Sequence, residues 1–275
     1  MYICPICKKR LKLSDNSYRC QNRHCFDMSA KGYVNLLTTK GRDPSKAGDD
    51  RQMLRSRTDF LDTDAYKPLA DKLCQVIGEA AGNIREPVII DSGCGEGYYT
   101  VRLAASLPRA QVFGIEISKN GAAHTAVRGR AAGCTNLRAA AASSFSLPFR
   151  EHSADVILSV FAPVTNDEYA RVLKKGGTLM VVSPTERHLF ALKAILYDQP
   201  YENKPNRYSL RSFTLAGEQR LKYTFPVTSD KQAADLFAMT PYYYKTSPEA
   251  AARLNGCAPF ECEAGFLIQT YRSSL

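Results

Sequence analysis

No stretch of this 275-residue sequence approaches the run of about 20 apolar residues that a membrane-spanning helix needs. The first residues are polar and rich in cysteine, unlike a secretion signal. No membrane partner is expected, and the cytoplasm is the expected compartment. Nor is the composition that of a disordered or collagen-like chain, since 44% hydrophobic and 23% charged residues are ordinary for a globular protein. Negative charge is scarce at the front, where residues 1–60 hold thirteen lysines and arginines against six aspartates. Most of the net charge of +10 therefore sits in the first fifth, which favours a polyanion such as RNA. Disulfides are not expected either. The nine cysteines are an odd number, and without an export signal Cys74, Cys94, Cys134, Cys257 and Cys262 read as reduced thiols.

The other four cysteines fall within the first 25 residues and argue for a metal. Cys4-Pro5-Ile6-Cys7 forms one knuckle, and Cys20 follows twelve residues on, with His24 and Cys25 just beyond. Two such knuckles on a hairpin close a tetrahedron around Zn2+. Cys4, Cys7 and Cys20 follow from the spacing; the fourth ligand is His24 or Cys25. So small a module depends on its metal to fold, so the role is structural. Lys8, Lys9, Arg10, Lys12 and Arg19 surround Tyr18 on the same hairpin, a mixture that offers charge to phosphate and a ring to a splayed base. The alternative is a solvated basic face with Tyr18 packed inward.

Beyond residue 37 the polar stretch from Thr38 to Asp50, with Gly41, Pro44 and Gly48, reads as a linker. Helical spacing from Arg51 to Ile77, broken at Lys67-Pro68, predicts two helices. The apolar β-branched run of residues 88–90 then stops in Asp91 and three glycines, Gly93, Gly95 and Gly97. This is a strand, a tight turn and a helix start, where bare backbone and unpaired amides receive a nucleotide-like ligand. The spacing is Gly-x-Gly-x-Gly, so the dinucleotide fingerprint Gly-x-Gly-x-x-Gly is absent.

An α/β alternation continues: a strand over residues 110–116 ending in Glu116, a third over 136–142, a fourth over 154–160 and a fifth over 178–183. Glu116 stands where the acid of a Rossmann-like unit bonds ribose hydroxyls. A helix over residues 166–173, capped by Asn166-Asp167-Glu168, and a turn at residues 174–177 precede the fifth strand. A helix over 227–239 preceded by a strand, then a closing strand over 265–271, would complete a seven-stranded sheet. Ligands of open α/β sheets bind at the carboxyl ends of strands, so Phe161-Ala162-Pro163 faces the reacting group. That tripeptide has no amide or acid side chain with which to hold an exocyclic amine. Tyr197, Tyr201, Arg207, Tyr208, Arg211 and Tyr242-Tyr243-Tyr244 interleave rings with cations, as unpaired RNA favours.

The glycine loop, with Asp91, Glu96 and Tyr98, resembles the cofactor loop of class I S-adenosylmethionine-dependent methyltransferases, and the segment holding Ala142 and Ser143 resembles the loop flanking their adenine. Phe26-Asp27 and Gly32-Tyr33-Val34-Asn35-Leu36-Leu37 behind a Cys-Pro-x-Cys knuckle, with Gly93 to Thr100 downstream, narrow this further. They resemble the bacterial 23S rRNA guanine-N1 methyltransferase family, from the first knuckle to near the C-terminus. The resemblance implies S-adenosylmethionine, a 23S rRNA stem-loop, His24 as the fourth zinc ligand, and Tyr66 and His188 beside the cofactor. In that family one subgroup is associated with resistance to tylosin-like macrolides. The expected organisation is a zinc-binding RNA-recognition module over residues 1–37, a linker and leading helices over 38–80, and a methyltransferase domain over 81–275.

Guanine N1 carries a proton, so the base must be unpaired or flipped and the proton must be accepted. Glu186, His188 and a tyrosine are the open choices. A homodimer is left open. The rivals are a small-molecule methyltransferase and a noncatalytic RNA-binding adaptor.

Overall fold

The computed structural model describes residues 1–38 and 50–274. The expected linker therefore lies, except for its end residues, outside the described residues. At the N-terminus β1 (Lys12–Ser14), β2 (Ser17–Arg19) and β3 (Cys25–Asp27) form a small antiparallel sheet. Then follow β4 (Tyr33–Asn35), α1 (Arg51–Leu61), α2 (Lys67–Ala81), β5 (Val88–Ser92), α3 (Tyr98–Ser106), β6 (Gln111–Glu116), α4 (Lys119–Ala131) and β7 (Leu137–Ala141). The chain continues through β8 (Ala154–Val160), α5 (Asn166–Val172), β9 (Leu173–Pro184), α6 (Phe190–Leu196), β10 (Phe213–Val227), α7 (Asp230–Ala238), α8 (Pro248–Ala251) and β11 (Phe260–Ser273).

The large sheet runs β10-β11-β9-β8-β5-β6-β7-β4. From β9 to β4 the strands are parallel, and β11 is antiparallel to both β9 and β10. The fully buried and mostly apolar β5 and β8 lie at its centre, covered on both faces. The seven expected strands are present, and an eighth joins them: Tyr33, Val34 and Asn35 pair with Ala139, Ala140 and Ala141 at the open edge. The helices over 51–77 form, with Pro68 in the first turn of α2, where its missing N–H costs nothing. Two local expectations need correction. The cap of α5 is Thr165 rather than Asn166, with no side-chain cap bond: Thr165 Oγ1 donates to Ser144 O, and Asn166 Oδ1, the atom a cap would use, accepts from the Ser212 amide. Residues 174–177 do not separate a helix from β9; they bulge within it, since Ala154 pairs with Leu173 and Val156 with Thr178.

Alternation along the strands sorts the core into two layers. Ile89, Val156, Leu158 and Met180 face α1, α2, α3, α6 and α7. Val88, Ile90, Phe113, Ile115 and Ile157 face α5 and the N-terminal module. Tyr2 stands edge-on to Phe113 and Tyr18, each at 5.4 Å, and tilted against Phe149. The small module is thus one of the layers that closes the sheet. Among the described residues, no helix is long and apolar enough to cross a membrane.

Candidate active site and metal centre

The metal centre forms where β1–β3 meet the first knuckle. One ligand atom from each of Cys4, Cys7, Cys20 and His24 lies within 4.8 Å of the others. Cys4 Sγ and Cys20 Sγ each stand 3.4 Å from His24 Nδ1, and Cys7 Sγ stands 3.6 Å from Cys20 Sγ. A zinc tetrahedron with ordinary bond lengths has edges of about 3.5–3.8 Å, so these four side chains fit the ion as they stand. Hydrogen bonding, led by the Lys9 backbone, draws the Cys7 thiol down to about 6, toward the thiolate that zinc binds. Cys25 is exposed and turned toward Asp27, 3.6 Å from Oδ1. Tyr18 is buried against Tyr2, so it packs inward and offers no ring to RNA. The cations are on the surface: Lys8, Lys9, Arg10, Lys12, Arg19 and Arg23 are all exposed.

A second site opens at the carboxyl ends of β5, β8 and β9 as a cavity of about 560 Å³. Its floor is the glycine loop. The Gly93 and Cys94 amides both donate to Ile115 O, at 2.8 and 3.0 Å. Gly93 has φ +86°, and a Cβ there would stand 2.5 Å from that of Ala162. Gly97, at φ +91°, starts α3, and a Cβ there would meet Thr125 Cα at 2.8 Å. No other residue type gives both the turn and the close approach.

Three acids surround this loop. Asp91 accepts from Thr100 Oγ1 at 2.6 Å, and burial raises its carboxyl to about 7. Burial likewise raises Glu96 to about 7 against the pull of Arg128. Among the described residues its Oε2 has no hydrogen-bond partner, with Arg128 Nη2 3.2 Å away but out of line. Glu116 accepts from the Gly95 amide at 3.1 Å and the Ser118 amide at 2.8 Å. A cradle that only glycine fits, beside three buried acids of which Glu96 keeps an oxygen without a donor, suits a ligand bearing positive charge and hydroxyls. S-adenosylmethionine, with its ammonium, sulfonium and ribose, fits that description.

Opposite the loop, Tyr66 at the start of α2 and His188 after β9 are both buried, with Tyr66 Oη 3.3 Å from His188 Nε2. His188 Nδ1 accepts from the Gly265 amide at 3.2 Å, and burial lowers its pKa to about 3. The ring is therefore neutral with its proton on Nε2, directed at Tyr66.

Of the residues singled out in the sequence, Tyr66, Asp91, Gly93, Gly95, Glu96 and His188 line the cavity together. Gly97, Tyr98, Glu116, Ala142 and Ser143 do not line it. Tyr98 is turned away, with Arg102 over its ring at 4.3 Å and its hydroxyl donating to Asp64. Glu116 and Ala142 continue the carboxyl edge past the loop, joined by the bond from Ala142 N to Glu116 O. Glu186 pairs with Arg220 and is not part of the wall.

A family model described as "RlmA, N-terminal", a zinc ribbon, matches residues 2–42, and a "Methyltransferase domain" model matches residues 89–177. The 23S rRNA (guanine(748)-N(1))-methyltransferase of Streptomyces fradiae is 33% identical over 256 residues, covering 91% of this chain and 88% of that one. The chain belongs to the 23S rRNA (guanine-N1-)-methyltransferase family. YxjB of Bacillus subtilis strain 168, whose name proposes the same guanine methylation without a position, is 30% identical over 264 residues, covering 92% of this chain and 90% of that one. The ubiquinone/menaquinone C-methyltransferase UbiE of Syntrophotalea carbinolica shares 32% identity over only 101 residues, 34% of this chain and 42% of that one. Membership makes this an S-adenosylmethionine-dependent methyltransferase that carries zinc in its ribbon.

Much of the cavity wall carried no sequence signal. Arg57 of α1, Asn203, Asn206 and Tyr208 of the segment before β10, and the residues from Thr240 to Tyr242 with Tyr244 all line it. They come from far along the chain and follow no spacing; only the density of tyrosine marked the region. Phe161 also lines it, from the tripeptide at the end of β8.

Proposed function

We propose that the chain moves the methyl group of S-adenosylmethionine to N1 of a guanine in a 23S rRNA stem-loop. What carries this reading is the placement of the cavity: a cofactor cradle at the carboxyl edge of a sheet whose other face is closed by a basic zinc ribbon. The near full-length match to rRNA-methylating relatives supports RNA over a small metabolite, since the UbiE likeness covers only 34% of this chain. Cys4, Cys7, Cys20 and His24 hold the zinc. Asp91, Gly93, Gly95, Glu96, Gly97 and Tyr98 form the cofactor turn, with Tyr66 and His188 facing it. Glu116 takes the ribose hydroxyls, and Ala142 and Ser143 flank the adenine. The ribbon of residues 1–37 grips the stem, residues 38–80 connect it, and residues 81–275 carry the chemistry.

The sulfonium supplies a methyl group that is already activated. The chain's work is alignment of donor and acceptor and exclusion of bulk water. The N1 lone pair forms the new bond as the carbon–sulfur bond breaks, and the N1 proton departs. His188 does not take it: Nδ1 is occupied by the Gly265 amide and Nε2 already bears a proton. Glu186 is held by Arg220 away from the cavity. We assign the proton to water at the cavity mouth, a transfer eased because methylation at N1 acidifies it. The test is incubation of the protein and S-adenosylmethionine with unmodified 23S rRNA, followed by reverse transcription. N1-methylguanine blocks pairing, so a new cofactor-dependent stop is expected; no stop anywhere on the RNA rejects the reading.

A further inference from the structure

Phe161 combines three properties that packing alone does not account for. Its backbone is left-handed, φ +52°, a conformation bulky residues avoid. Its side chain remains 47% exposed although it lines the cavity. And its neighbours fix it there: its amide donates to Val182 O at 3.1 Å, Ser159 Oγ donates to Ala162 O at 3.3 Å, and Tyr169 Oη donates to Pro163 O at 3.0 Å. Ala162 itself lies against Gly93, so the turn touches the cofactor loop. A glycine would take this backbone without strain and an aliphatic residue would seal the wall. Strain that the surroundings over-determine, held at a site, points to a task for the ring.

The ring is stacked at 28° on the neutral His188, centroids 5.8 Å apart, and tilted against Phe266 at 6.0 Å. It is therefore backed by aromatics and half open to the cavity. We infer that Phe161 is the platform on which the acceptor guanine stacks once it leaves its helix. An aromatic face gives a flipped base a place to lie without a hydrogen-bond code. It does so beside the loop that holds the methyl donor, where alignment matters most. The inference rests on the guanine-methylating reading above.

The test begins with the wild-type protein, whose reverse-transcription stop locates the modified guanine on unmodified 23S rRNA. Phe161→Leu keeps bulk but not the ring, and should lower kcat/KM for the RNA by about ten- to hundredfold. Phe161→Tyr should retain most activity. Binding is then compared on the intact stem-loop and on one made abasic at that guanine. Phe161→Leu should weaken the first and not the second. Undiminished Phe161→Leu activity, or an equal loss on both RNAs, overturns the platform while leaving the methylation reading in place. A wild-type protein that leaves no stop overturns both.

Discussion

At the scale of single residues, Asp91 shows a conflict between stability and cofactor binding. It is buried, and burial raises its carboxyl from 3.8 to about 7, with the Thr100 hydrogen bond opposing and the Glu116 charge adding. The folded protein therefore holds this proton more tightly than the unfolded chain. The stability that follows is complete below the unfolded value and is lost as pH rises through 7. Asp91→Asn keeps an oxygen for Thr100 but never ionises. It should raise the stability of the cofactor-free protein at pH 8 by roughly 2–4 kcal/mol and change little near pH 4. The same change removes a negative charge from the cofactor cradle, so the thermal shift produced by S-adenosylmethionine should shrink. Melting curves at both pH values, with and without cofactor, check this; a fall in stability at pH 8 would mean that Asp91 serves packing alone. Asp91 and its glycines were legible in the sequence because the turn is local, and each residue type is dictated by its neighbours. Tyr66 and His188 were placed beside the cofactor only by the family resemblance, and their contact across 122 positions left no mark in the sequence.

At the scale of elements, the cavity is closed by segments with little regular structure, held by one buried cation. Lys193 of α6 is fully buried, and its Nζ donates to Tyr201 O at 2.9 Å and Asn203 Oδ1 at 2.7 Å. The same Nζ lies over the rings of Tyr201, at 4.1 Å, and Tyr242, at 5.0 Å. Asn203 in turn donates to Thr185 O and His188 O and accepts from Tyr242 Oη. One ammonium thus ties α6, the segment before β10 and the turn after α7 around the site. Among the described residues no carboxylate hydrogen-bonds to it; the rings, the carbonyls and the Glu202 charge offset its desolvation, which pulls its pKa down. Lys193→Met fills similar volume without the donors. It should cost about 1–3 kcal/mol and speed hydrogen exchange most at residues 201–206. Faster exchange spread evenly over the protein would show that the clamp is not local. Such a clamp left no trace in the sequence, where Lys193 is one cation among 37. The strands, by contrast, were legible from apolar runs bounded by turns. The eighth was missed because three residues at an edge carry no periodicity.

At the scale of the whole molecule, the zinc ribbon is both a structural layer and a charged face. Tyr2, Leu11 and Tyr18 share a core with Phe113, Ile115 and Phe149, and β4 extends the sheet. The cysteine spacing shows the metal module, but only three-dimensional packing shows that the sheet leans on it. Zinc removal should therefore not release an independent appendage. Chelation, or Cys20→Ser, should lower the melting temperature of the whole chain in a single transition; two transitions, with the larger one unmoved, would show separate domains. The ribbon's outer surface is arranged against its own stability. Lys12 and Arg19, both exposed, face each other directly across β1 and β2. Like charges in that register cost a few tenths of a kcal/mol, a cost that a polyanion lying across the hairpin reverses. Phosphate contacts release counterions, so each one steepens the fall of log affinity with log salt by about 0.7–0.9. Replacing Lys12 and Arg19 together by glutamine should leave the ribbon as stable as before or slightly more so. It should also flatten the salt slope of 23S stem-loop binding by one to two, while affinity for S-adenosylmethionine stays as it was. An unchanged slope would place the RNA on another face of the molecule, and the like-charge pair would then be a cost with no compensation in this reaction.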